Sequence, residues 1–150
     1  MRLLCGFLLL IGSSCSFVSC KSEVDNVTFF TSHEVNKTKA PFSDIVAVDN
    51  LFFLSGQIGM DHKTRKIVEG GIEAETKQTL ENIKAVLTHH QMTMDQIVKC
   101  TVILKNIEDF AVMNEIYKQY LPQKPARTTF AVNNLAFGAL IEIECIAAKM

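Results

Sequence analysis

The chain has no tryptophan, only two tyrosines and only three prolines in 150 residues, and it has no excess of either charge. Lys plus Arg number 15 against 16 Asp plus Glu, for a formal net charge of −1. That balance excludes the basic footprint by which a nucleic-acid-binding domain announces itself. No apolar run reaches the roughly 20 residues that a membrane-spanning helix needs. Cys100 and Cys145 have no histidine beside them at ligand spacing, so no metal site is expected. The lack of tryptophan does not exclude a core, because 48% of the residues are hydrophobic. The length is that of one domain.

Residues 1–20 read as a leader and not as part of the fold. Arg2 gives a basic start, Leu3 to Ile11 an apolar run, and Gly12, Ser13, Ser14, Ser16 and Ser19 a small-residue region, the layout of a secretory signal peptide. Phe17-Val18-Ser19-Cys20 also has the form of a loose lipobox, in which Cys20 becomes the lipidated first residue. Ordinary cleavage between Ser13 and Lys21 is the alternative. Either way the expectation is an exported domain, periplasmic or secreted, with membrane attachment only through a lipid on Cys20. Residues 21–26 read as a short linker and 27–150 as the folded domain. Of the five cysteines, only Cys100 and Cys145 fall in that domain, and among apolar neighbours they read as small buried hydrophobes, although an exported protein could oxidise them.

Within the domain, Val27 to Thr31 reads as a short edge strand. Ile45 to Val48 and Leu51 to Ser55 read as two strands joined at Asp49-Asn50. Ser55-Gly56-Gln57 ends the second, and Gly56 permits close approach of a backbone or ligand. Asp61 to Gly71 reads as a charged loop. Ile72 to Gln91 has the helical period, with Ile72, Thr76, Thr79, Leu80, Ile83 and Leu87 inward and His89-His90 at its C-terminal end, where positive charge suits the helix dipole. Ile97 to Leu104 reads as a central strand. Asn106 is a candidate N-cap for the next helix, whose inward stripe is Ile107, Phe110, Asn114, Tyr117 and Leu121. Asn114, polar on that stripe, must either tie the helix to backbone groups or point into a pocket. The order β-β-β-α-β-α-β-β predicts an α+β sheet with both helices on one face.

The last two strands carry the chemistry. Thr128, Phe130 and Val132 alternate along one, and Ile141, Ile143 and Cys145 along the other. Asn133, Asn134 and Gly138 are turn formers between them, so the pair reads as an antiparallel hairpin. Matching the apolar faces sets Thr129 opposite Glu142 and Arg127 opposite Glu144, with those four side chains on one face. A guanidinium there can hold a carboxylate bidentately, and a nearby glutamate can move a proton or orient a water. A merely solvated sheet face, with cross-strand pairs contributing about 0.2–1 kcal/mol, accounts for the same pattern.

Ser55-Gly56-Gln57-Ile58, Gln78 to Leu87, Ile97 to Leu104, Asp109 to Tyr117, Pro125-Ala126-Arg127-Thr128 and Ile141 to Glu144 occur in that order. Their combination resembles the RidA/YjgF family of reactive-intermediate deaminases, over about Val27 to Ala148. The resemblance implies a chorismate-mutase-like fold assembled as a homotrimer, with a site in each cleft between subunits. It implies hydrolysis of 2-aminoacrylate and related enamines or imines to 2-keto acids and ammonia, with no cofactor or metal. In that family's terms Arg127 clamps the substrate carboxylate and Glu142 orients or activates water. Ser55, Gly56, Phe42, Thr129 and Asn114 are the further pocket candidates, and Glu144 makes structural or interface contacts. Phe42 stands where the family commonly has tyrosine, which removes a hydroxyl and implies slower turnover or a shifted substrate preference. Nuclease action has been associated with some relatives, and the net charge of −1 argues against it here. Enamines form where dehydratases work, so an exported chain has no evident supply of them. That motivates a second expectation, an exported trimer that binds small carboxylates or acts as a chaperone-like interaction module.

Overall fold

The computed structural model describes residues 26–149. The expected leader, the lipobox ending at Cys20 and most of the linker lie outside them. The order is β1 (Val27–Phe30), β2 (Ile45–Val48), β3 (Leu51–Ile58), β4 (Met60–Asp61), β5 (Lys66–Ile67), α1 (Gly71–His89), β6 (Ile97–Leu104), α2 (Phe110–Tyr120), β7 (Ala126–Ala131) and β8 (Ile141–Ala148). Six strands form one sheet in the order β1-β2-β3-β8-β6-β7. The α+β architecture expected from the element order is present. The stretch read as a charged loop contains a small extra ribbon, β4 with β5.

Alternation decides which face of the sheet is covered. Ile45 and Ala47, Phe52 and Leu54, Val102 and Leu104, and Ile141 and Ile143 are buried, while Val46, Val48, Phe53 and Ile103 between them are not. Helices α1 and α2 pack side by side on the buried face. From α1 come Leu80, Ile83, Val86 and Leu87, and from α2 Met113, Ile116 and Tyr117. Burying each large aliphatic side chain contributes about 1.5–3 kcal/mol, so this single layer carries most of the stabilisation. The stripe of α2 is rotated from its expected position: Ile107 is 51% and Phe110 37% exposed, and Met113 and Ile116 replace them in the core. Asn106 precedes a 3-10 turn, Ile107–Asp109, and makes no side-chain cap.

The turn at Asp49-Asn50 joins β2 to β3 with Val48 opposite Leu51, and Asp49 takes a φ of 52°, which a short polar side chain tolerates. Between β3 and β8, Leu54 pairs with Cys145 and Gln57 with Ile143, so β3 holds one residue more than β8. That bulge at Ser55-Gly56 turns Gln57 into the core, where it is 2% exposed.

The expected hairpin of the last two strands does not form. β7 pairs in parallel with β6, Arg127 beside Cys100 and Thr129 beside Val102, and β8 inserts between β3 and β6. Three physical facts explain the correction. Parallel pairing needs a crossover, and α2 supplies it. β8 buries Ile141, Ile143, Cys145 and Ala147, and a strand that apolar gains most from neighbours on both sides. β7, with Arg127 and Thr129 turned to the helices and Thr128 and Phe130 to the open face, suits the edge. The loop from 132 to 140 is long enough to pass over the end of β6, which a tight hairpin turn is not.

Candidate active site

The change of pairing divides the expected site in two. Glu142 is opposite Ile103, and Glu144 opposite Thr101, so both glutamates share the open face of the sheet. Arg127 and Thr129 share the helix face of β7. The single face carrying all four is therefore corrected. β6 lies between the two strands, which puts them about 10 Å apart as well as on opposite faces.

The first half is built on the β3 bulge. Gly56 lies against the Glu142 carboxylate so closely that a Cβ added there would overlap Oε1. Phe42, Ser55, Gly56 and Glu142 line a cavity of about 210 Å³. A second cavity of about 210 Å³ adjoins it and takes in Gln57, His62, Arg65 and Phe137 as well. Burial, and then the charge of Glu144, push the Glu142 carboxyl above its ordinary pKa. The Ser55 hydroxyl donates to the Ser43 carbonyl at 2.6 Å and its N–H to the Asp44 carbonyl at 3.0 Å. Ser55 thus fastens the bulge to the β2 entry strand, and its hydroxyl hydrogen is already used. Lys37, also at the cavity, pairs with the buried Asp44 carboxylate at 3.0 Å, so its charge is matched. His62 faces Glu34 at 3.4 Å, and burial followed by the Lys37 charge depress its pKa.

The second half is built on β7 and α2. Arg127 Nη1 donates to Asn114 Oδ1 at 2.8 Å. The guanidinium carbon sits 4.6 Å from the Tyr117 ring centre and 5.4 Å from that of Phe110. Amide and two aromatic faces fix the plane of the fork without neutralising it. Among the described residues Arg127 forms no ion pair with a carboxylate. A cavity of about 290 Å³ opens beside it, lined by Asn114, Tyr117, Leu121, Lys124 and Pro125 among others. Asn114 therefore lines a pocket, one of the two placements expected for it, and there it orients the arginine. Thr129 lines none of these three cavities, and its Oγ1 is buried without a partner.

Two positioning residues escaped the sequence reading. Glu75, 4% exposed, accepts the Leu140 N–H at 2.8 Å and so anchors the loop that delivers Glu142. Asn82 donates to the carbonyls of Ile58 at 3.0 Å and Met60 at 2.9 Å, holding the chain just past the bulge. Burial raises the Glu75 pKa against the opposing pull of that N–H. Residues 75, 79, 82 and 86 recur at helical spacing along the buried stripe, and polar residues on it were the available signal. Among the described residues no cluster of three or more His, Cys, Asp or Glu is placed to hold a metal ion.

The sequence profile of the family described as endoribonuclease L-PSP matches residues 32–149. A RutC family protein, PH0854, of Pyrococcus horikoshii is 45% identical over 114 residues, covering 75% of this chain and 90% of its own. The human 2-iminobutanoate/2-iminopropanoate deaminase is 44% identical over 110 residues, covering 73% of this chain and 80% of its own. Among solved structures, RidA from a Psychrobacter species superposes with a TM-score of 0.75 at 32% identity, over 81% of this chain and 99% of its own. The bulged β3, the inserted β8 and the parallel edge strand carrying Arg127 thus occur in a chain that belongs to the endoribonuclease L-PSP family, the RidA/YjgF proteins.

Proposed function

We propose that the chain is an enamine/imine deaminase, converting 2-aminoacrylate-type intermediates and the corresponding 2-imino acids to 2-keto acids and ammonia. The observation that carries this reading is Arg127, oriented by Asn114 and stacked on Tyr117 yet without a carboxylate partner among the described residues. Such a fork holds a substrate carboxylate through two parallel hydrogen bonds. The reaction adds water across C=N and expels ammonia. Glu142 in its ionised form takes a proton from the attacking water and returns it to the departing nitrogen, and its elevated pKa makes it the stronger base for the first of those transfers. Gly56 leaves room for the carboxylate of Glu142 and for the substrate beside it.

One copy keeps Arg127 and Glu142 apart, so the site is completed between copies, in a homotrimer like that of the family. The open sheet face supports this: Phe29 is 70%, Val27 48%, Phe130 43% and Phe53 40% exposed, an apolar surface larger than single scattered side chains. Export by residues 1–20, with or without a lipid on Cys20, belongs to the same proposal and is read by sequencing the N-terminus of the mature chain.

The test is keto-acid production by the purified protein mixed with a dehydratase that generates 2-aminoacrylate, alongside Arg127→Ala, with the assembly sized by light scattering. Acceleration over spontaneous hydrolysis that vanishes in the variant is expected. A folded trimer that gives no acceleration sinks the catalytic reading and leaves a carboxylate-binding module.

A further inference from the structure

Behind the Arg127 clamp lie two sulfurs that the proposed reaction does not use. Cys100 on β6 and Cys145 on β8 are cross-strand partners, 0% and 3% exposed, with free thiols whose Sγ atoms are 3.3 Å apart. Antiparallel partners have Cα atoms about 4.5 or 5.5 Å apart, and both spacings lie within the range a disulfide accepts. Cys100 is also the β6 partner of Arg127. The Tyr117 hydroxyl, buried without a conventional hydrogen-bond partner, lies beside the Cys100 thiol, while Tyr117 also lines the cavity next to Arg127. Tyr117 therefore touches both that cavity and the Cys100 thiol.

We propose that Cys100 and Cys145 are an oxidisable dithiol, closed by a hydroperoxide into a cross-strand disulfide directly behind the carboxylate clamp. The Cys100 thiolate attacks the peroxide O–O bond, giving a sulfenic acid and, with one proton, the alcohol or water. The Cys145 sulfur then attacks the sulfenic sulfur, forming the S–S bond while hydroxide leaves and takes up the Cys145 proton as water. Two thiols and one peroxide give one disulfide, one water and one alcohol or second water. The division of labour follows from the surroundings: the Cys145 contact, Tyr117 and the Arg127 charge pull Cys100 below its ordinary pKa, and the same sulfur contact and burial push Cys145 up. Closing the bond brings the sulfurs from 3.3 Å to about 2.05 Å and removes the thiol from beside Tyr117.

The experiment exposes the folded full chain to dilute hydrogen peroxide, alkylates free thiols after unfolding, digests with trypsin and maps the peptides by mass. The expected product joins residues 100–105 to 128–149 with the loss of two hydrogens, and it separates on reduction. Cys145→Ala is expected to give no such product and to leave Cys100 trapped by a cyclic 1,3-dione that captures sulfenic acids. Cys145→Ser serves the same purpose if the alanine variant does not fold. Recovery of both cysteines as alkylated thiols overturns the proposal, as does Cys100 joined to another copy or to Cys5, Cys15 or Cys20. The link to the clamp rests on the deaminase reading: oxidation is expected to raise KM severalfold with kcat within twofold. An unchanged KM removes that link, whereas failure of the deaminase reading shows as no turnover in either redox state with the cross-linked peptide still present.

Discussion

The two halves of the candidate site are built on opposite principles. On the open face, Glu142 is positioned by what is missing: Gly56 has no side chain, and the bulge leaves a gap that the carboxylate enters. On the helix face, Arg127 is positioned by what is present, an amide acceptor at 2.8 Å and two aromatic rings. A charge at a sheet edge keeps its freedom to bind an anion if its neighbours are polarisable and neutral. A carboxylate kept basic needs partial burial and a like charge nearby, which Glu144 supplies. The halves should therefore fail differently when altered.

The largest effect is expected at the clamp. Arg127→Ala removes two charge-assisted hydrogen bonds, worth about 1.5–3 kcal/mol each, so kcat/KM should fall about a thousandfold while the chain still folds. Steady-state kinetics with circular dichroism checks both parts. Glu142→Gln should lower kcat by about a hundredfold or more and abolish the acid limb of the pH profile. In the unaltered protein that limb is expected above the ordinary glutamate pKa of about 4.3, activity falling as pH falls through the raised value. Stability has the opposite sign. A carboxyl with a raised folded pKa favours the fold when protonated, so Glu142 destabilises once pH exceeds its unfolded pKa, and Glu142→Gln should be relatively more stable at neutral pH.

Gly56→Ala tests whether absence positions Glu142. The added methyl overlaps Oε1 and displaces the carboxylate by about 1 Å, for an expected loss near a hundredfold in kcat, with KM little changed. Asn114→Ala tests the other half. Loss of the acceptor lets the guanidinium rotate on the Tyr117 ring, and KM should rise about tenfold with kcat nearly constant. Equal shifts of kcat and KM in these two variants would show that the halves are not separable. The smallest change is expected for Phe42→Tyr, about 52% exposed at the Glu142 cavity, where a restored hydroxyl should raise turnover a few-fold. Unchanged kinetics there would remove any role for that hydroxyl.

Much of this was legible without coordinates wherever a local period decided it. Ile141, Ile143 and Cys145 face the core as their alternation implies, whereas the unbroken apolar runs at 45–48 and 51–54 left their buried faces open. Leu80, Ile83 and Leu87 on α1 face the core as their period implies. Arg127 and Glu142 stood out as charged residues within segments that read as strands. The pairing of β7 was not legible. Turn formers at 133, 134 and 138 are compatible with a hairpin and with a crossing loop, and local chemistry does not count how many neighbours a strand can win. Glu75 and Asn82 were passed over because polar residues on a helix are ordinarily assigned to water, whereas both bond backbone groups buried beneath α1.

The sequence by itself determined most of the elements, the buried face of β8 and of α1 and the kinds of groups available for chemistry, because side-chain alternation and turn chemistry act within a few residues. Only the tertiary structure decided which strand lies beside which, and so that Arg127 and Glu142 occupy opposite faces of one sheet. The physical reason is that strand order is fixed by the total apolar area a strand covers against all its neighbours, a quantity distributed over the whole chain.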